Sequence, residues 1–370
     1  MGTDPSNVLA SGGRKPAEGT LSPRLAVSHP GCAPSAGVRP PLAKTARARR
    51  AVLWAAGFAV AFNLALGQVA ERYVRLRDPL YGDKRVKLTP KLRDGKPLVL
   101  MLGSSRTGLA FHGKRLEATY PVAAFNYGIP AAGPVTQLVT LDRLLASGVR
   151  PSLLLVEVLP AMLQDQGGPP REAGWLYADR LTSAERATVI RHGFPAAAVN
   201  KRWRESVLFP AYALRFQLMC RINPSALPWP LRFDWSRGAD ECGYGSLVDQ
   251  TPEPADRARR FAQTKAEYEA ILRDYRPGGP AIAALRELLD RCRDAGVPVR
   301  LVLMPESGEF RALYGPGADA RLAAVLPADV VDAREWLPDD AFNDGHHMLA
   351  RGAEAFTDRL GREVVAAAVK

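Results

Sequence analysis

Five short apolar runs stand next to turn residues, at 97–103, 122–128, 152–160, 297–305 and 329–334. Runs of this length, apolar on consecutive positions, are the pattern of strands buried on both faces. Helix-period patterns separate or follow them. Residues 135–148 place apolar side chains at helical spacing and stop at Gly148, and 281–296 repeat the design and stop at Gly296. A third such pattern, 349–367, closes the chain. Strands alternating with helices predict an α/β fold: a doubly wound, mainly parallel five-stranded sheet with helices on both faces.

Between the third and fourth strands lies an insertion, 165–280, whose pattern is helical. Thr182 with Glu185 forms a capping-box signature, and Thr251-Pro252 is expected to open a further helix. The insertion holds 14 of the chain's 28 Phe, Trp and Tyr residues, among them Trp175, Trp203, Trp229 and Trp235. These aromatics fit either the core of a helical subdomain or a lid over a ligand site.

Charge changes the picture at the N-terminus. Residues 1–50 carry eight Lys/Arg against two acidic residues, half of the chain's net +12, together with seven Pro and six Gly. This stretch is expected to be a disordered basic tail. The remaining +6 over 320 residues gives no case for nucleic-acid binding.

Residues 51–70 then pass without a charge, the length needed to cross the ~30 Å hydrocarbon core. The run is longer than a signal-peptide core, which favours an uncleaved anchor over a cleaved signal or a buried helix. Lys44, Arg47, Arg49 and Arg50 precede it, so the N-terminus is expected in the cytoplasm and the remainder outside a bacterial inner membrane. Residues 71–96 would be a linker. The chain has four Cys: Cys32 in the tail, and Cys220, Cys242 and Cys292 in the outer part.

Two short motifs carry candidate chemistry. The first strand runs into Gly103-Ser104-Ser105-Arg106, which places Ser105 at the crevice where doubly wound sheets bind ligands. The glycine is expected to permit a sharp turn. Asp344-Gly345-His346-His347 stands just before the closing helix. Three positions apart, Asp344 can hold one imidazole nitrogen of His347 and leave the other to accept a Ser105 proton. His346 is expected to face away. The cluster lacks a recognised zinc spacing, and no metal or other cofactor is expected. Glu157 at the end of the third strand fits either a buried carboxylate in the crevice or a simple strand end, and Glu306 at the end of the fourth either a substrate contact or a surface residue.

The pairing resembles the SGNH (GDSL-type) hydrolase superfamily. Within it the chain is most similar to the membrane-anchored bacterial branch, which includes acetyltransferase-like proteins of alginate modification and the protein that completes D-alanylation of teichoic acids. Gly103-Ser104-Ser105 matches the nucleophile block, Asn126-Tyr127-Gly128 the glycine block, and Asp344 with His347 the last block. The resemblance covers 97–164 and 281–366 and leaves the insertion uncovered.

The resemblance implies an SGNH-like fold with nucleophile Ser105, base His347 and orienter Asp344. The backbone N–H groups of Ser105 and Gly128 would form the oxyanion hole. Arg106, Asn126, Glu157 and Glu306 are the positions left for substrate binding. The third block normally supplies an Asn, and here the strand reads Leu155-Val156-Glu157-Val158. The implied function is an extracytoplasmic serine esterase or O-acyltransferase acting on acyl groups of an envelope polysaccharide. A membrane acyl-donor protein is left open as a partner. The alternative is an inactive scaffold of the same fold that binds a glycan or a protein.

Overall fold

The computed structural model describes residues 42–228, 232, 238–246, 252–327 and 329–369. Of the expected disordered tail at 1–50, residues 1–41 with Cys32 lie outside the described residues, as do Trp229, Trp235 and Thr251, whereas 42–50 are helical and not disordered. Five parallel strands form one sheet: β1 (Leu98–Gly103), β2 (Ala123–Gly128), β3 (Leu153–Val158), β4 (Val299–Leu303) and β5 (Val331–Asp332). Their order is β2-β1-β3-β4-β5, so the strand order reverses between β1 and β3.

The helices before the third strand are α1 (Leu42–Arg72), α2 (Val74–Arg77), α3 (Pro79–Lys91), α4 (Ser105–Ala110), α5 (Gly113–Thr119) and α6 (Pro134–Ala146). The insertion supplies α7 (Ser183–Arg191), α8 (Ala196–Leu208), α9 (Pro210–Ala213), α10 (Arg215–Ile222) and α11 (Pro254–Arg273). After it come α12 (Gly279–Asp294), α13 (Gly308–Arg311), α14 (Ala318–Ala323) and α15 (Ala350–Leu360). A single π-turn, Gly361–Val365, carries the last helix on to α16 (Ala366–Ala368).

Alternation along the strands sorts the core into two layers. Leu100, Leu102, Phe125, Leu154, Val156 and Leu301 face one way, into a cluster shared with α3, α6 and α12. Val99, Met101, Ala124, Leu153, Leu155 and Val302 face the other way, against Ala110, Leu116, Phe356 and Leu360 of α4, α5 and α15. Both faces are covered, which is why the strands read as continuous apolar runs.

Two expectations about organisation change. Residues 71–96 are not a linker. Pro79 starts α3, Asp78 caps it, and Leu80, Tyr81 and Leu88 are buried in the larger core layer. Lys84 of the same helix is buried and donates to the carbonyls of Asn126 (2.8 Å) and Gly243 (2.7 Å). Burial lowers its pKa to about 7.

The insertion is not a satellite either. Leu181, Val189, Phe194, Cys220, Tyr268, Leu272 and Tyr275 join the same core layer as the sheet. The Thr182–Glu185 capping box forms as the sequence requires, while the helix expected to open at Thr251-Pro252 begins at Pro254. Cys220, Cys242 and Cys292 are buried and form no disulfide among the described residues.

The chain divides into two units, one running through Phe62 and one from Asn63 onward, which holds the sheet. In the first, helix α1 carries Val52, Trp54 and Phe58 largely exposed. Ala46–Ala70 is long and apolar enough to cross a membrane, and it is not buried within the protein.

Candidate active site

The site forms where the strand order reverses, at the carboxyl ends of β1 and β3. In open α/β sheets that crevice is where ligands bind. β1 ends at Gly103, Ser104 is the N-cap of α4 and accepts from the Arg106 amide (3.1 Å), and Ser105 opens the helix. Ser105 is half-buried, between buried Ser104 and buried Arg106.

The turn is held from below by Glu157. Its carboxylate accepts from the Ser104 amide (2.7 Å), the Ser104 hydroxyl (2.7 Å), the Thr107 amide (3.2 Å) and the Thr107 hydroxyl (2.6 Å). A carboxylate at a helix N-terminus satisfies donors the helix leaves open and opposes its dipole. Glu157 therefore braces the Ser105 turn, and its four donors and burial leave it no face for the substrate contact expected from sequence.

The glycines have a different role from the one expected. Gly103 and Gly128 are needed for space. A Cβ on Gly103 would lie 2.0 Å from the Thr107 hydroxyl and 2.3 Å from Glu157, and one on Gly128 would lie 2.3 Å from the Gly108 nitrogen. The Gly128 amide donates to Asn126 Oδ1 (2.9 Å), which commits the N–H expected in the oxyanion hole. The Asn126 amide group donates to the carbonyls of Thr107 (2.7 Å) and Phe111 (2.8 Å) at the far end of α4. Asn126 thus ties α4 to β2 and is 0% exposed, so it has no face for substrate.

Arg106 and Glu306 are also withdrawn from solvent. They pair with one another (3.2 Å). Arg106 further donates to the carbonyls of Met304 (3.2 Å) and Pro305 (2.9 Å), which ties α4 to the end of β4. Tyr314 donates to Glu306 (3.2 Å). Burial raises the Glu306 pKa, and the Arg106 and Arg334 charges only partly offset it.

The other half of the site is the loop 342–348. Gly345 has φ +97°, a conformation that favours glycine, and this turn brings Asp344 back under the two histidines. Asp344 Oδ1 accepts from the His347 amide (2.8 Å) and the His346 amide (3.2 Å). Asp344 Oδ2 lies 2.8 Å from His347 Nδ1, and His347 Nε2 lies 2.9 Å from Ser105 Oγ. Ser105, His347 and Asp344, 242 residues apart in sequence at the extremes of the first contact, thus form one hydrogen-bonded chain.

Burial pulls the His347 pKa down. The Asp344 charge and hydrogen bond outweigh it, so the ring titrates above its ordinary value. Burial alone would raise the Asp344 pKa, but the adjacent imidazoles and its hydrogen bonds hold it well below the usual carboxylate range. The pair is arranged as an ionised carboxylate steadying a basic ring.

A profile described as a protein of unknown function (DUF1574) matches residues 66–172. No curated protein matches the chain. The matched stretch contains the Ser105 turn, Asn126, Gly128 and Glu157, and ends before the loop that carries Asp344 and His347.

His346 does not face away from its neighbour. Its ring lies 4.1 Å from that of His347, centroid to centroid, and packs on Tyr268 and Phe310 at 5.2 Å each. Burial drives its pKa well below the ordinary value, so it is neutral. Asp344, His346 and His347 offer ligand atoms within 4.8 Å of one another. Both His347 nitrogens already have partners, however, which leaves only the His346 ring and one carboxylate oxygen for a cation. That is fewer than the three protein ligands of a catalytic zinc.

Sequence reasoning missed three contributors: Thr107, the aromatic seat formed by Tyr268 and Phe310, and the bracing role of Glu157. An acid closing a buried strand opposite a Ser-Ser-Arg-Thr turn was the available signal for the last.

Proposed function

We propose that this protein is a membrane-anchored serine enzyme of the SGNH type that removes or transfers an acyl group on a cell-envelope glycan. The observation that carries the reading is the Ser105–His347–Asp344 chain, with contacts of 2.9 and 2.8 Å. Ser105 Oγ attacks the ester carbonyl while its proton passes to His347 Nε2. Asp344 holds the Nδ1 proton and steadies the imidazolium. His347 then protonates the departing alkoxide, leaving an acyl-serine. Water or a glycan hydroxyl resolves it, with His347 again taking the proton.

The oxyanion is met by the Ser105 amide at the start of α4, which has no acceptor among the described residues. The Gly128 amide is committed to Asn126, and the third-strand Asn of the family is replaced by Glu157. A missing donor costs roughly 10²–10³ in rate. The site is accordingly a slow one, suited to a transferase working on a concentrated, membrane-bound substrate. The same two features support the second reading, an inactive scaffold that binds glycan or a partner.

The basic residues Arg47, Arg49 and Arg50 ahead of the uncharged run 51–70 support a single-pass, N-in anchor in the inner membrane, with the sheet outside. Labelling by a fluorophosphonate probe separates the two readings. The enzyme labels, and Ser105→Ala abolishes the label. A folded wild type that stays unlabelled is the scaffold.

A further inference from the structure

Helices α8, α9 and α10 leave a compact set of large apolar side chains uncovered. Leu208, Phe209, Tyr212 and Ile222 are 65%, 60%, 66% and 86% exposed, with Val207 and Met219 beside them. Six large exposed apolar residues within sixteen positions is the kind of patch that marks an interaction surface. Its place on the molecule identifies what covers it.

The patch is fastened to the end of the apolar stretch of α1. The Ala211 amide donates to Asn63 Oδ1 (3.3 Å), and a Cβ on Gly67 would lie 3.6 Å from the Pro210 ring. One turn beyond the stretch, Arg221 donates to the Arg75 carbonyl (2.5 Å). The stretch ends at Ala70. Asn63 lies seven residues before that end, which at 1.5 Å per residue is about 10 Å along the helix axis. If Ala46–Ala70 spans a bilayer, α9 sits below the boundary of the hydrocarbon. Helices lying in an interface bury their apolar faces by roughly 5–10 Å.

The flanking charges agree. Residues 196–222 contain Lys201, Arg202, Arg204, Arg215 and Arg221 against Glu205. Arg215 lies over the Tyr212 ring (3.9 Å) and the Phe216 ring (4.2 Å). Its guanidinium stacks on these rings and donates to the Tyr212 carbonyl (2.5 Å), which holds a positive charge at the edge of the patch. A basic rim around an apolar face is attracted to anionic lipid.

We propose that α8–α10 form a second membrane contact, an interfacial foot. Leu208, Phe209, Tyr212 and Ile222 enter the leaflet beside the anchor, and Arg204 and Arg215 meet anionic headgroups. The inference rests on the anchor reading and extends it. It sets α8–α10 against the bilayer surface.

Spin labels on the full-length chain test it, in vesicles of phosphatidylethanolamine and phosphatidylglycerol and with Cys32→Ser as background. Labels are placed singly at Phe58→Cys, Leu208→Cys and Ile222→Cys, and collision with oxygen is compared with collision with a water-soluble nickel complex. The expected result is oxygen-dominated relaxation at all three sites. A shift toward nickel at 208 and 222 when phosphatidylglycerol is omitted would identify the headgroup charge as part of the contact. Oxygen dominance at 58 with nickel dominance at 208 and 222 overturns the foot and leaves the anchor standing. Nickel dominance at 58 overturns the anchor and the foot together. Labels at 208 and 222 shielded from both reagents would mean a protein covers the patch, which also overturns lipid contact.

Discussion

The two halves of the site are built in opposite ways. The serine half is cross-braced inside the sheet. Glu157 holds its front, Asn126 its back and Arg106 its side, and Gly103 and Gly128 leave no room for a Cβ. The histidine half is a loop shaped by one carboxylate and one positive-φ glycine, seated on the rings of Tyr268 from the insertion and Phe310 from α13. Changes on the serine side should therefore act through stability as much as activity. Changes on the histidine side should act on the chemistry while the fold survives.

The largest effect is expected where the halves meet. Ser105→Ala and His347→Ala should each lower turnover of an aryl acetate by roughly 10⁴-fold or more, with the double variant little worse than either, because the pair acts as a unit. Asp344→Asn should cost about 10²-fold less than His347→Ala, since it disturbs tautomer and orientation. Wild-type rate should rise with pH, because only neutral imidazole accepts the proton. The His347 pKa is raised, so the midpoint should lie above the ordinary ~6.5. A strictly additive double variant, or a midpoint below that value, would break the coupling between the halves.

Glu157→Ala tests the bracing. It strands the Ser104 and Thr107 amides in a buried site, and each buried donor left without a partner typically costs about 1–3 kcal/mol. Denaturant unfolding should show this loss, whereas His347→Ala should change stability by little. Equal losses from both would erase the contrast.

The smallest effect is expected at His346, a neutral ring in an aromatic seat. His346→Phe keeps the packing and should leave turnover within about threefold, while His346→Ala should cost roughly 1–3 kcal/mol of stability through the void. Turnover by His346→Phe as low as that of His347→Ala would transfer the base to His346.

The sheet, its two covering layers and the apolar stretch of α1 were legible along the chain. Each depends on periodicity, which is a local property: strands buried on both faces must be continuously apolar, and a membrane-length run needs only its own composition. The Ser105, His347 and Asp344 positions were legible for a related reason, since turn residues at a strand end and a D-x-x-H before a helix are also short-range signals. What the tertiary structure decided is where each backbone N–H and carboxylate goes. Gly128 has the right residue type for an oxyanion donor, but Asn126 two positions earlier takes its amide. Glu157 and Glu306 have the right charge for substrate, but partners 50 and 200 residues away in sequence claim them. Hydrogen-bond satisfaction in a buried site is settled by whichever groups the fold brings within 3 Å, and nothing in the spacing of one segment records what another segment will bring.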